Sequence, residues 1–151
     1  MNNYLIALGS NLHLAQLSKV EILEKALLAM REWEINVIGV STWWESRASP
    51  AGSGPNYING VIKALSKLTP DETLQCLKKI ERYFGRKESK RWGSRTLDLD
   101  LLDCNNMILP TKMIFMKWFS LSVELQLKSE PRQLILPHPR IQDRLFVLKP
   151  L

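Results

Sequence analysis

The stretch Arg91-Trp92-Gly93-Ser94-Arg95-Thr96-Leu97-Asp98-Leu99-Asp100-Leu101-Leu102 reads as a strand entered from a basic, aromatic turn. Leu97, Leu99 and Leu101 alternate with Asp98 and Asp100, so in a strand the leucines enter a core while both aspartates project from the opposite face. Two carboxylates roughly 7 Å apart along a strand repel one another when bare. A hard divalent cation with oxygen ligands is their natural partner. For an isolated D-x-D, a solvated acidic edge is the better account. Its neighbours change that reading: Arg91 and Arg95 bring planar donors suited to phosphate oxygens, and Trp92 brings a flat apolar surface. The combination points to magnesium and a phosphate-bearing substrate.

Upstream of this strand, Thr69-Pro70-Asp71-Glu72 is a helix start, with Thr as cap, Pro at the first helical position and Glu placed to close a capping box. Leu74, Leu77, Ile80 and Phe84 form its apolar stripe. The basic run from Gly85 to Lys90 reads as an exposed loop. Nearer the N-terminus, Tyr4 to Leu8 is a short buried strand closed by the turn residues Gly9-Ser10-Asn11. Within residues 14 to 32, Leu17, Val20, Leu23, Leu27 and Met30 recur at spacings of three and four, which predicts an amphipathic helix. From Ile35 to Glu45 the period changes to two, and a second such run covers Tyr57 to Leu65, with a Gly- and Pro-rich loop at residues 49 to 55 between them. Strand, helix, strand, strand, helix, strand is the order of a ferredoxin-like βαββαβ α+β sandwich. Such a fold has an antiparallel sheet with helices on one face and leaves the other face for ligands.

A length of 151 residues and 45% apolar composition predict a single domain, residues 1–151, with a substantial core. The net charge of +6 favours anionic partners without selecting among them. Cys76 and Cys104 lack the spacing of a zinc site or a disulfide framework. With no basic leader and no apolar run near the ~20 residues that span a bilayer, the expected location is the cytoplasm, without a membrane partner.

The string R-W-G-x-R-T-L-D-L-D closely resembles the signature of the 6-hydroxymethyl-7,8-dihydropterin pyrophosphokinase family of folate biosynthesis. Three further segments follow in the family's order: Ala7-Leu8-Gly9-Ser10-Asn11, Gly54-Pro55-Asn56-Tyr57-Ile58-Asn59, and Leu136-Pro137-His138-Pro139-Arg140 with Arg144 and Phe146. The resemblance covers residues 4 to 102 and 134 to 151. It implies a transferase that moves the β,γ-diphosphate of ATP to the hydroxymethyl group of the pterin and releases AMP.

The resemblance also implies roles. Asp98 and Asp100 would hold two magnesium ions, and Arg86, Arg91 and Arg95 would complete the catalytic set. ATP would be met by Glu81, Arg86, Arg95, His138 and Arg144, with residues 85–90 closing as a lid. The pterin would be met by Ser46, Tyr57, Asn59, Trp92, Asp98 and Phe146, and Asn11 would shape the pocket. The expected partners are the two small-molecule substrates, with no nucleic acid, for a protein that is a monomer or is fused to, or in contact with, other folate enzymes.

Several positions depart from the family pattern. Ser94 stands where proline is usual, Arg47 and Ser49 make the pterin-side loop more polar, and Gln133 falls near a phosphate-contacting arginine of some relatives, with Arg132 a substitute. The chain ends at Leu151, short of the family's usual C-terminus. Residues 105–133 are longer than the usual crossing and carry an apolar run from Met113 to Val123. Extra core packing is the expectation for that run, with a self-association surface as the alternative.

Three competing functions fit parts of the chain. One is another two-metal nucleotidyl or phosphoryl transferase on the same sandwich, and one is a non-catalytic relative. The third, an RNA-recognition module, shares the βαββαβ order but needs an aromatic and basic string on its central strands. No such string occurs.

Overall fold

The computed structural model describes residues 1–48, 54–85 and 95–151. Its frame is β1 (Asn2–Ser10), α1 (Lys19–Glu32), β2 (Asn36–Val40), β3 (Trp44–Ser46), β4 (Tyr57–Ser66), α2 (Pro70–Tyr83) and β5 (Asp98–Cys104). The strands form one antiparallel sheet in the order β2-β4-β1-β5, with β3 also pairing with β4. The expected βαββαβ sandwich is therefore present, its second strand divided into β2 and β3.

Both helices start on capping boxes. Ser18 and Thr69 accept from the backbone N–H groups of Glu21 and Glu72, whose carboxylates accept from the cap N–H groups in return. Helix α1 begins later than its apolar spacing predicts, because Leu14 to Leu17 close a turn with Leu17 N–H donating to the Leu14 carbonyl at 2.9 Å. Its buried stripe is Ile22, Leu23, Ala26 and Met30. These side chains, with Leu77, Ile80 and Phe84, meet Tyr4, Ile6, Leu8, Ile62, Ala64, Leu99 and Leu101 of the sheet and Leu97 just before β5. Gly60 lies on this face because a Cβ there would come within 2.5 Å of the Trp43 ring.

Strand β1 runs past the predicted turn: Gly9 and Ser10 remain paired with β4, and Gly9 also faces Asp98 of β5. The glycine is used for close approach between strands rather than for a turn. A register shift between Leu5 and Ile6 leaves Leu102 as an extra residue on β5. Leu101 enters the main core while Leu102 enters a smaller one on the opposite face.

That second cluster corrects the expectation that helices cover one face alone. After a 3-10 turn at Ile141–Asp143, the short helix α3 of the C-terminal segment (Leu145–Leu148) places Val147 against Ala7, Val61 and Leu102. Small apolar residues at the centre of the open face leave room for this helix.

The insertion also departs from expectation. It holds two helices, α4 (Lys112–Phe119) and α5 (Val123–Lys128), and contributes none of the side chains from Met113 to Leu121 to either core cluster. No residue of α4 is buried, and Met113 is 78% exposed. The excursion leaves and returns at one point, where Leu109 and Leu136 exchange backbone hydrogen bonds of 2.9 and 3.2 Å. Among the described residues no helix is long and apolar enough to cross a membrane.

Candidate active site

The open face of the sheet is built around Gly9. Its register partners are Asn59 on one side and Asp98 on the other, and the next row in the same sense is Val61, Ala7 and Asp100. Side chains of alternate residues share a face, so Tyr57, Asn59, Asp98 and Asp100 project together. A Cβ on Gly9 would lie 3.2 Å from Asn59 Oδ1 and 3.6 Å from the Tyr57 ring. The glycine thus forms the floor of a recess between the Asn59 amide and the carboxylates. Asn59 is 4% exposed, and its amide donates to Ser46 Oγ at 2.8 Å, which fixes its orientation. Burial raises the Tyr57 phenol above its ordinary pKa, and the charge of Asp98 adds to the effect.

Each aspartate is paired with an arginine. Arg95, three residues before Asp98, ion-pairs with it through Nη1. Arg144, from the C-terminal segment, ion-pairs with Asp100 Oδ2. Both carboxylates keep about a third of their side-chain surface exposed, 29% and 32%. Burial alone would raise the Asp100 carboxyl, but Arg144, His138 and Arg95 outweigh it and hold the group below the usual range. For Arg95, burial works against the charge, and Asp98, Glu81 and Asp100 more than restore it.

Asn11 holds the arginine in place. It is 1% exposed, its Oδ1 accepts from Arg95 N–H at 2.7 Å, its own N–H donates to the Arg95 carbonyl at 3.1 Å, and its amide donates to the Pro55 carbonyl at 3.3 Å. One side chain thereby joins the end of β1, the entry to β5 and the entry to β4. In the sequence Asn11 reads equally as a simple turn residue, and only the tertiary contacts separate the two roles.

Glu81, expected at the ATP subsite, is 1% exposed and accepts from Leu99 N–H at 2.8 Å. It therefore supports β5 from the helix side. His138 donates its backbone N–H to the Leu102 carbonyl at 2.7 Å, while its Nδ1 accepts from Arg140 N–H at 3.2 Å. Burial, only partly opposed by Asp100, lowers the imidazole pKa to about 4, with Arg144 and Arg140 adding to the fall. The ring is neutral near pH 7. Phe146 is 36% exposed, with the Arg144 guanidinium 5.7 Å from its ring centre. Beside it, Lys149 lies 5.9 Å from the Trp44 ring.

Arg86, Arg91, Trp92 and Ser94, with Ser49 and residues 86–90 of the expected 85–90 lid, lie outside the described residues. Arg47, Arg132 and Gln133 are exposed. The structure thus brings Ser46, Tyr57, Asn59, Arg95, Asp98, Asp100, His138, Arg144 and Phe146 to one region of the molecule, with Glu81 behind it. Gly9, which the sequence offers as a turn residue within a family motif, lies in this region between Asn59 and Asp98.

Among the described residues no group of three or more His, Cys, Asp or Glu side chains could enclose a metal. Two partly exposed carboxylates fit a cation that keeps several waters and draws its remaining oxygens from a phosphate substrate, as magnesium does.

Fold and site together define an antiparallel α+β sandwich whose open face presents an arginine-flanked carboxylate pair beside an amide-lined recess. Within that class the chain belongs to the 7,8-dihydro-6-hydroxymethylpterin-pyrophosphokinase family, whose model it matches over residues 5–151. It is 38% identical over 130 residues to a Synechocystis protein named 2-amino-4-hydroxy-6-hydroxymethyldihydropteridine pyrophosphokinase, covering 86% of this chain and 54% of that one. A protein of the same name from Aquifex aeolicus is 30% identical, with 97% and 76% covered. The mitochondrial folate synthesis bifunctional protein of Arabidopsis thaliana is 33% identical over 97% of this chain and 22% of its own. The chain thus spans about half of the Synechocystis relative and a fifth of the Arabidopsis one. The crystal structure of wild-type Plasmodium falciparum HPPK-DHPS has the same fold, with a TM-score of 0.61 at 15% identity, over 97% of this chain and 40% of that one.

Proposed function

We propose that this chain transfers the β,γ-diphosphate of ATP to the hydroxymethyl oxygen of 6-hydroxymethyl-7,8-dihydropterin. The pterin oxygen attacks the β-phosphorus and loses its proton, and the bond from that phosphorus to the α-phosphate's bridging oxygen breaks, releasing AMP. The observation that carries this reading is the pair Asp98 and Asp100 on one sheet face beside the Asn59 recess, in a chain of the pyrophosphokinase family.

Asn59, locked by Ser46, has the fixed amide needed to read the edge of a flat heterocycle, and Tyr57 forms a wall of the same recess. Phe146 and Trp92 supply aromatic faces for the ring. Arg95, Arg86 and Arg91 neutralise the triphosphate, joined by Arg144 and His138. The neutral His138 ring can share a hydrogen bond with a phosphate without adding charge. Glu81 acts by holding β5, and through it the register of Asp98 and Asp100. Asp98 and Asp100 would hold two magnesium ions, which when bound would supply charge neutralisation of the triphosphate and acidification of the attacking hydroxyl. On the same reading, residues 1–151 act as one domain in the cytoplasm, either as a monomer or joined to other folate enzymes.

The test is AMP release from ATP and magnesium with and without the pterin, beside Asp98→Asn. Pterin-dependent AMP, equal in amount to the diphosphorylated pterin and reduced at least about 100-fold in the variant, is the expected result. AMP formation indifferent to the pterin would instead favour a general two-metal nucleotidyl or phosphoryl transferase.

A further inference from the structure

The two arginines that meet the carboxylates are held in different ways. Arg95 lies in the lead-in to β5, its backbone is clamped by Asn11, and its guanidinium feels Glu81 as well as Asp98. Arg144 comes from 44 positions along the chain and sits between the 3-10 turn and α3, where it meets Asp100 through Oδ2. A cation drawing an oxygen from Asp100 meets a guanidinium in contact with that carboxylate. The repulsion between the two falls on Arg144, the guanidinium in contact with Asp100.

We propose that Arg144 is the resident counter-ion of Asp100, that it must leave this carboxylate for a divalent cation to bind, and that it moves onto the anion arriving with the cation. The inference rests on the reading of Asp100 as a metal-holding carboxylate. In the structure, Asp98 and Asp100 are balanced by Arg95 and Arg144. A dication alone adds uncompensated positive charge to that balance. A dication with a polyphosphate restores the balance and gives the displaced guanidinium a bidentate partner. Cation and polyphosphate therefore strengthen each other's binding by the same factor, as linkage requires.

The experiment is Mn2+ binding to the full chain, followed by the EPR signal of free Mn2+, for wild type, Arg144→Met and Arg144→Lys, each with and without a non-hydrolysable ATP analogue. Without the analogue, Arg144→Met is expected to bind Mn2+ about tenfold or more tightly than wild type, because one positive charge a few ångströms from the dication has gone. Arg144→Lys retains the charge and stays near wild type. With the analogue, wild type gains more affinity than Arg144→Met, and the difference between them narrows or reverses.

The Mn2+-induced rise in melting temperature reads the same comparison where the methionine variant is less stable, and it should be larger in that variant. Equal or weaker Mn2+ binding by Arg144→Met overturns the proposal. An Asp100→Asn arm with the analogue separates the two claims. If that variant loses Mn2+ while Arg144→Met shows no gain, only the counter-ion role fails. If Asp100→Asn binds Mn2+ like wild type, the metal reading of Asp100 fails and takes the proposal with it.

Discussion

His138 shows how one side chain's surroundings become a measurable property of the molecule. Its imidazole is held at a pKa of about 4, chiefly by burial, against an ordinary value of 6.5. The unfolded chain therefore takes up this proton at a higher pH than the folded one, and stability rises with pH across the interval. The loss on acidification begins near pH 6.5, is complete near pH 4, and amounts to at most about 3 kcal/mol. Asp100 adds a separate loss at lower pH, since its depressed carboxyl stabilises the fold above the unfolded value of 3.8 and ceases to do so as pH falls through its folded value. Denaturant melts between pH 4 and 7 should show this slope in wild type and a flatter one in His138→Gln. An unchanged slope in the variant would remove His138 from the account. The stiff Pro137-His138-Pro139 setting and the resemblance mark this histidine in the sequence, but its neutrality is set by residues brought from elsewhere in the chain.

At the level of elements, capping chemistry and apolar period were reliable where they acted locally. The Thr69-Pro70-Asp71-Glu72 start of α2 is present as read, because every group in it lies within one turn. The start of α1 was less legible: the 14–17 segment has apolar residues at helical spacing, yet its backbone closes a separate turn before Ser18 caps the helix. The insertion is not legible in this way, since an apolar run looks the same in sequence whether it is covered or left exposed. Its exposure sets a prediction. Replacing Met113 and Leu125, which are 78% and 53% exposed, with serine should change stability by less than about 0.5 kcal/mol each. Urea melts that show a loss of 2 kcal/mol or more, the size expected of a core position, would mean these helices pack on the body of the protein in solution.

Across the whole molecule, the C-terminal segment links the small core on the open face to the site. Val147 is 1% exposed against Ala7, Val61 and Leu102, and the same short segment carries Arg144 and Phe146. Val147→Ala should cost about 1–3 kcal/mol from the two lost methyl groups and the space they leave. By loosening the segment it should also raise KM for both substrates more than it lowers kcat, which steady-state kinetics beside a thermal melt would check. Loss of stability with unchanged KM would show that Val147 serves packing alone.

The order of the elements, their caps, and the alternation that puts Asp98 and Asp100 opposite the leucines are legible in the chain alone, since each depends on residues within a turn or a strand of one another. Its separated motifs also marked the candidate side chains from Ser46 to Phe146. The folded arrangement adds that Gly9 floors the recess, that Asn11 clamps Arg95, that Arg144 crosses the fold to Asp100, and that α3 rests on the face expected to be free. Those outcomes depend on cross-strand register and on which apolar surface finds cover, quantities set by the whole chain folding together and written in no short stretch of it.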